Sequence, residues 1–218
     1  MIKGLMARGD IRRIGLALAG LACMLVMLGW AGTLEGIKQE VASVNAIKAD
    51  FIQEKHLRML DEPLISKGRL YFETPQSLRW EYRSPVRSIL LMKDKTIRRY
   101  VEGDRGLVEQ GSQGLEAMRV FLREICLWMQ GDFAGNPDFR TELKADRTVV
   151  LTPEKEAIAE VVERIALKLT DTPGIIQTAT IYEDADTYTR IRFTDTKINQ
   201  PIKDRVFEEA MIDANGNQ

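Results

Sequence analysis

The chain has 218 residues, of which 44% are hydrophobic and 29% charged, with 31 basic against 32 acidic side chains and a formal net charge of −1. Those proportions exclude a disordered or collagen-like chain and leave room for one or two domains with a sizeable core. The balanced charge also excludes the strongly basic surface that nucleic-acid partners require.

The first segment reads as an address. Lys3, Arg8, Arg12 and Arg13 precede an uncharged run over residues 14–32. Such a run is a secretory signal peptide if it is removed and just long enough to span a bilayer if it is kept. Gly29 and Ala31 place small residues where a signal peptidase reads, and no basic flank follows. Cleavage of residues 1–32 is therefore the expectation, with an uncleaved anchor as the alternative. Cys23 is preceded by Gly20, Leu21 and Ala22, a poor lipidation box, and the apolar run continues beyond it. Removal leaves 27 basic and 31 acidic side chains, a formal charge of −4, and Cys126 without a partner for an internal disulfide. Residues 33–218 are read as a single domain, without internal repeat, low-complexity tract or linker.

From Thr33 the apolar residues Leu34, Ile37, Val41, Val44 and Ile47 recur at helical steps behind a Thr cap, which predicts an amphipathic helix. From about residue 49 the period becomes two. Strands are expected near 49–58, 65–73, 78–83, 87–93, 96–101 and 105–110, separated by Pro, Gly and Asp turns too short for parallel crossovers. The pair over 69–83 is amphipathic: Leu70 and Phe72, then Leu78, Trp80 and Tyr82, share one face, while Arg69, Glu73, Arg79, Glu81 and Arg83 occupy most of the other. A second helix follows, with Leu115, Met118, Phe121, Leu122, Ile125 and Met129 on one face and Gly131 closing it. Strands resume near 139–145, 147–152, 161–170, 175–183 and 187–195. About eleven strands in one antiparallel sheet must curl, and the two helices are available to cover its apolar face.

Reactive side chains are sparse. One histidine, His56, excludes metal sites built on two or three imidazoles and reads as a rim residue. Cys126 falls among apolar helical positions and reads as packing rather than a nucleophile. Gly103, Asp104, Arg105 and Gly106 resemble a hairpin turn rather than a phosphate loop, and the acidic pairs Asp184/Asp186 and Glu208/Glu209 read as solvated. No catalytic, cofactor-binding or metal site is expected, and the chain reads as a non-enzyme.

The order of several short pieces carries a resemblance. Phe51 and Gln53 come first, then Ser66-Lys67-Gly68, Leu70-Tyr71-Phe72, Pro75, Arg79-Trp80-Glu81-Tyr82 and Ser84-Pro85. Leu151-Thr152-Pro153 follows the central helix, and Phe193-Thr194-Asp195, Asn199, Ile202 and Phe207 close the series. Over residues 34–207 this resembles the LolA family of periplasmic outer-membrane lipoprotein carriers. The resemblance implies an unclosed β-barrel lidded by helices over an apolar cavity that takes lipoprotein acyl chains. It implies an inner-membrane lipoprotein-releasing transporter as donor and an outer-membrane acceptor, with no cofactor. A carrier that shields one cargo has no need of a second copy, so a monomer is expected.

The cavity wall is expected to include Phe51, Leu70, Phe72, Leu78, Trp80, Tyr82, Ile89 and Leu91 from the strands. Met118, Phe121, Leu122, Ile125 and Met129 are expected from the helix. The same residues would serve equally as ordinary core. Carriage of another exported lipid or glycolipid remains open, because residues 57–64 resemble the longer first hairpin loop of relatives with other cargos. An envelope module that senses lipoproteins is a third reading. Two departures stand out: many relatives carry a basic residue where Thr74 precedes Pro75, and the sequence runs only a short way past Phe207.

Overall fold

Each segment that alternates in sequence forms a strand in the computed structural model, which describes residues 33–94, 96–111, 115–208 and 210 and, for residues 115–121, the backbone only. The expected leader, residues 1–32, lies outside the described residues, as does Glu209. The strands are β1 (Ala46–His56), β2 (Leu64–Glu73), β3 (Ser77–Ser84), β4 (Ser88–Lys93), β5 (Thr96–Gly103) and β6 (Gly106–Glu109). After the central helix come β7 (Phe139–Leu143), β8 (Thr148–Pro153), β9 (Arg164–Leu169), β10 (Ile176–Tyr182) and β11 (Tyr188–Ile198).

All eleven belong to one sheet in the order β6-β5-β4-β3-β2-β1-β11-β10-β9-β8-β7, with every neighbouring pair antiparallel. Two meanders are thus joined back to back through β1 and β11, and the outermost strands, β6 and β7, do not pair with each other. The result is an unclosed barrel. Its concave face is a continuous apolar surface from Val149 and Leu167 on β8 and β9, through Ile191 and Phe193 on β11, to Leu70, Phe72, Leu78 and Trp80 on β2 and β3.

Helix α1 (Leu34–Val41) begins where Thr33 Oγ1 accepts from the Gly36 amide, as the sequence predicts, but it stops eight residues on. Val44 and Ile47 do not continue it: Ile47 lies in β1, between Phe72 on β2 and Ile198 on β11. Asn199, held at φ 54°, fixes this switch. Its Oδ1 accepts from the Asn45 and Ala46 amides and its Nδ2 donates to Ser43 O, so the turn is bonded from outside the helix. Strand pairing on both sides of Ile47 supplies more than another helical turn would. Helix α2 (Leu115–Met129) crosses the concave face, and two short helices that the periodicity does not register follow, α3 (Glu156–Ala159) and a 3-10 turn at Asp204–Phe207.

The convex face is not uniformly solvated. Arg79 and Glu81 are 1% and 3% exposed, although their alternation with Trp80 marks them as outward-facing. The segment that follows β11 folds over them. Arg79 donates from Nε to Glu81 (3.0 Å) and from its terminal nitrogens to Val206 O and Ala210 O (3.3 Å each), and Arg87 completes the carboxylate at 3.1 Å. Ile202, Val206 and Phe207 pack with Tyr71 and Ala46 beside this network. A buried ion pair of this kind is specific rather than strongly stabilising, since desolvation offsets much of the attraction.

Gly68 explains one sequence motif physically. A Cβ at this position would lie 2.1 Å from Glu81 O and 2.4 Å from Phe51 Cζ, so the ring of Phe51 occupies the place of the missing side chain. Gly68→Ala is expected to lower the free energy of unfolding by about 1–3 kcal/mol, the usual range for forced overpacking. Urea titration reads this directly, and an unchanged midpoint would contradict the placement of Phe51 over Gly68.

Candidate functional site

The site is built from the concave face and from α2. Strand register decides which side chains meet there, because residues directly opposite share a face. Phe51 pairs with Gly68 and Phe193, Leu70 with Trp80, and Phe72 with Leu78, so these five aromatic and aliphatic strand residues from the sequence reading share one surface with Tyr82. Their rings interlock: Phe51 and Trp80 have centroids 4.8 Å apart, Phe51 and Tyr82 meet edge-on at 5.3 Å, and Trp80 meets Phe193 edge-on at 6.2 Å.

Of the two expected wall residues on β4, Ile89 borders the cavity described below although its side chain clusters on the convex side, and Leu91 falls elsewhere. On β4, Trp80 is opposite Leu90 and Leu78 opposite Met92, while Ile89 is opposite Glu81 and Leu91 opposite Arg79. Leu91 therefore faces the convex side, and the side chain of Ile89 joins it in a cluster with Ala210. Leu90 and Met92 take the concave places, joined by Ile165, Leu167, Ala179, Ile181, Ile191 and Phe193 from the other meander. From the helix, Leu122, Ile125 and Met129 join that surface together with Cys126 and Trp128. The side chains of Met118 and Phe121 lie outside the described residues.

Helix α2 is held where it ends. Its C-terminal end is fixed by Gly131 at φ +73°: the Gly131 amide donates to Trp128 O and the Asp132 amide to Leu127 O, the paired bonds that close a helix on a left-handed residue. Gln130 Nε2 donates to Pro75 O at 3.0 Å, so the β2–β3 turn is tied to the helix by a side-chain amide. Lys38 of α1 reaches Asp132 (3.2 Å), and Arg147 reaches Glu40 (2.7 Å). Around Met129 the packing leaves gaps of only about 10–20 Å³.

Beside the middle of the helix the packing is looser. A cavity of about 350 Å³ lies where Leu122 and Ile125 face Trp80, Leu90, Ile181 and Ile191. That is the lower range of cavities that hold small ligands, roughly 300–1,000 Å³. Its wall is apolar at depth and polar at the rim, where Gln53, Lys55, Tyr82, Ser88, Arg99 and Thr189 converge. Tyr82 donates to Gln53 Oε1 at 2.8 Å, and burial pushes its phenol above the ordinary value. The Trp80 N–H lies near enough to oppose that rise, yet Nε1 meets no acceptor at bonding geometry among the described residues.

Cys126 and His56, the two reactive side chains singled out in the sequence, both have structural surroundings. Burial pushes the Cys126 thiol up to about 12, so the thiolate is suppressed and the side chain acts as a small apolar residue. His56 pairs with Tyr188, stacks on its ring at 4.3 Å and faces away from the cavity, since its neighbour Lys55 faces in. Among the described residues no group of His, Cys, Asp or Glu is placed to hold a metal ion. No described helix is long and apolar enough to cross a membrane.

Glu124 on α2 is buried, accepts from Asn136 Nδ2 at 2.7 Å, and has its carboxyl pKa raised by burial. A folded-state value above the unfolded one means that proton uptake favours folding: the gain is complete below the unfolded pKa and is lost as pH rises through the folded one. Glu124→Gln keeps the acceptor and removes the charge. It is expected to raise Tm over the parent at pH 7.5, with the difference shrinking at pH 4; an equal difference at both pH values would contradict the buried carboxylate.

Residues 42–210 match the family model described as outer membrane lipoprotein carrier protein LolA. No curated protein matches. Among solved structures, a LolA superfamily protein from Nitrosomonas europaea aligns at 11% identity and TM-score 0.40, over 80% of this chain and 97% of the other. The lipoprotein LppX from Mycobacterium tuberculosis aligns at 10% identity and TM-score 0.42, over 78% and 98%. The MucA/MucB complex from Pseudomonas aeruginosa aligns at 15% identity and TM-score 0.44, over 82% of this chain and 59% of that one.

Proposed function

The chain belongs to the LolA family, and from that premise we propose that it is an envelope carrier whose concave face takes the acyl chains of lipoproteins. The observation that carries the reading is the cover of that face. Leu122, Ile125, Trp128 and Met129 of one helix, rather than another layer of sheet, seal a surface that runs the width of the barrel and opens into a cavity at one end. Cargo enters by replacing helix contacts with acyl contacts, an exchange that needs no cofactor and no catalytic step.

Magnitudes assign the roles of the partners. Each methylene removed from water is worth about 0.8 kcal/mol, so one long acyl chain represents on the order of 10 kcal/mol in the aqueous periplasm. The chain starts in a bilayer, however, where it is already in an apolar medium. Transfer into the barrel is therefore close to neutral, and loading draws on work done by an inner-membrane lipoprotein-releasing transporter. Unloading requires an outer-membrane acceptor that holds the chains more favourably. The protein acts in the periplasm after removal of residues 1–32, as a single domain over residues 33–218 and without a second copy.

A second reading, carriage of another exported lipid or glycolipid, is favoured by the β1–β2 hairpin. Met59 at its tip is 87% exposed, with Leu60, Leu64 and Ile65 exposed beside it. An apolar, solvent-facing hairpin of this kind suits a different donor surface.

Substitution tests the cavity. Ile181 is half-buried on the cavity wall, so Ile181→Glu is expected to fold and to weaken binding of a fluorescent triacylated lipopeptide at least tenfold. Trp80→Glu is expected to do the same where circular dichroism shows it folded. Unchanged binding in either folded variant would remove the cavity from the account.

A further inference from the structure

We propose that the open end of the barrel is a headgroup site for a negatively charged amphiphile, with Arg99 as the residue that pairs with the charge. The inference rests on the cavity reading and specifies what enters it.

The observation is a break in an otherwise apolar face. On β5 the residues opposite Met92, Leu90 and Ser88 are Ile97, Arg99 and Val101, so Arg99 stands on the concave side between two aliphatic residues. It is exposed, at the rim of the cavity that Trp80, Ile125 and Ile181 line. Its guanidinium has no acidic partner among the described residues, whereas Arg98, the next residue, faces the convex side and lies 3.9 Å from Glu109. The second cation at the rim, Lys55, is matched by Glu183 at 3.1 Å. Among the described lining residues there is no carboxylate. An uncompensated guanidinium at the edge of an apolar cavity creates a positive potential that low-dielectric walls focus inward.

A second donor points to the same chemistry. Trp80 is 6% exposed and lines the cavity, and its Nε1–H, although close to Tyr82, meets no acceptor at full bonding geometry among the described residues. A buried N–H of this kind is costly unless a ligand accepts from it. One headgroup with several acceptor oxygens and a negative charge, such as a phosphate monoester, can satisfy the indole and the guanidinium together. Arg is suited to this because its planar fork binds such oxygens in pairs. The acyl chain then extends along Leu90, Ile125 and Ile191 towards the closed end.

Calorimetric titration at low ionic strength tests the proposal with dodecyl phosphate, dodecanol and inorganic phosphate. The parent protein is expected to bind dodecyl phosphate about tenfold more tightly than dodecanol, a ratio that corresponds to one charge-assisted pair. Arg99→Gln is expected to abolish that ratio while retaining dodecanol binding, and Arg98→Gln to preserve it. Equal affinity of the parent for both amphiphiles would overturn the headgroup site and leave the apolar cavity standing. Inorganic phosphate binding as tightly as dodecyl phosphate would overturn it as well, reducing the site to one for a free anion. Failure of both amphiphiles to bind would overturn the cavity reading and the headgroup site with it.

Discussion

A sheet whose outer strands, β6 and β7, never pair cannot cover its own concave face, and that single deficit organises the molecule. The apolar surface made by alternate residues of two meanders has to be buried, and α2 is the element laid across it. Closed barrels meet the same requirement with side chains that belong to the wall itself. Here the cover belongs to a separate helix, so stability and binding draw on one set of contacts. A long acyl chain is worth on the order of 10 kcal/mol against water, a quantity similar to the whole stability of a typical domain, about 5–15 kcal/mol.

At its C-terminal end α2 is fixed by Gly131, by the Gln130 contact to Pro75, and by α1 through Lys38 and Asp132. Packing around Met129 leaves almost no free volume, while Leu122 and Ile125 overlook a cavity of about 350 Å³. The helix is thus packed tightly around Met129 and less tightly where Leu122 and Ile125 border the cavity. The convex face holds the complementary rigid part. There the segment carrying Ile202 and Phe207 is bonded through Arg79 and Glu81, which stiffens the strands that present Trp80 and Phe72 to the interior.

The strands were legible because most of them bury one face only, and a period of two survives in the sequence wherever that is so. Gly131 and the helical spacing of Leu122, Ile125 and Met129 were legible for the same reason. The misplacement of Leu91 follows from β4, where Ile89, Leu90, Leu91 and Met92 are apolar on both faces. Alternation carries no information in such a strand, and only the pairing of Leu78 with Met92 sets the register. Alternation sets Arg79 and Glu81 on the outer face, but their burial is not legible, because the residues that cover Arg79 lie more than a hundred positions away. Val44 and Ile47 kept a helical period that Asn199 and the neighbouring strands override, again from the far end of the chain. Arg99 carries no signal in the sequence, since only its pairing with Leu90 sets it on the concave side, at the exposed rim.

The most direct test of the central claim, that the concave face exchanges its helix for acyl cargo, is a photo-crosslinking amino acid at Trp80, activated in living cells of the host, with the adduct identified by mass spectrometry. The account predicts an acylated protein, or an acylated lipid under the second reading of the cargo, attached at this position. Crosslinks confined to the protein's own α2 would contradict it and make the face a permanent core.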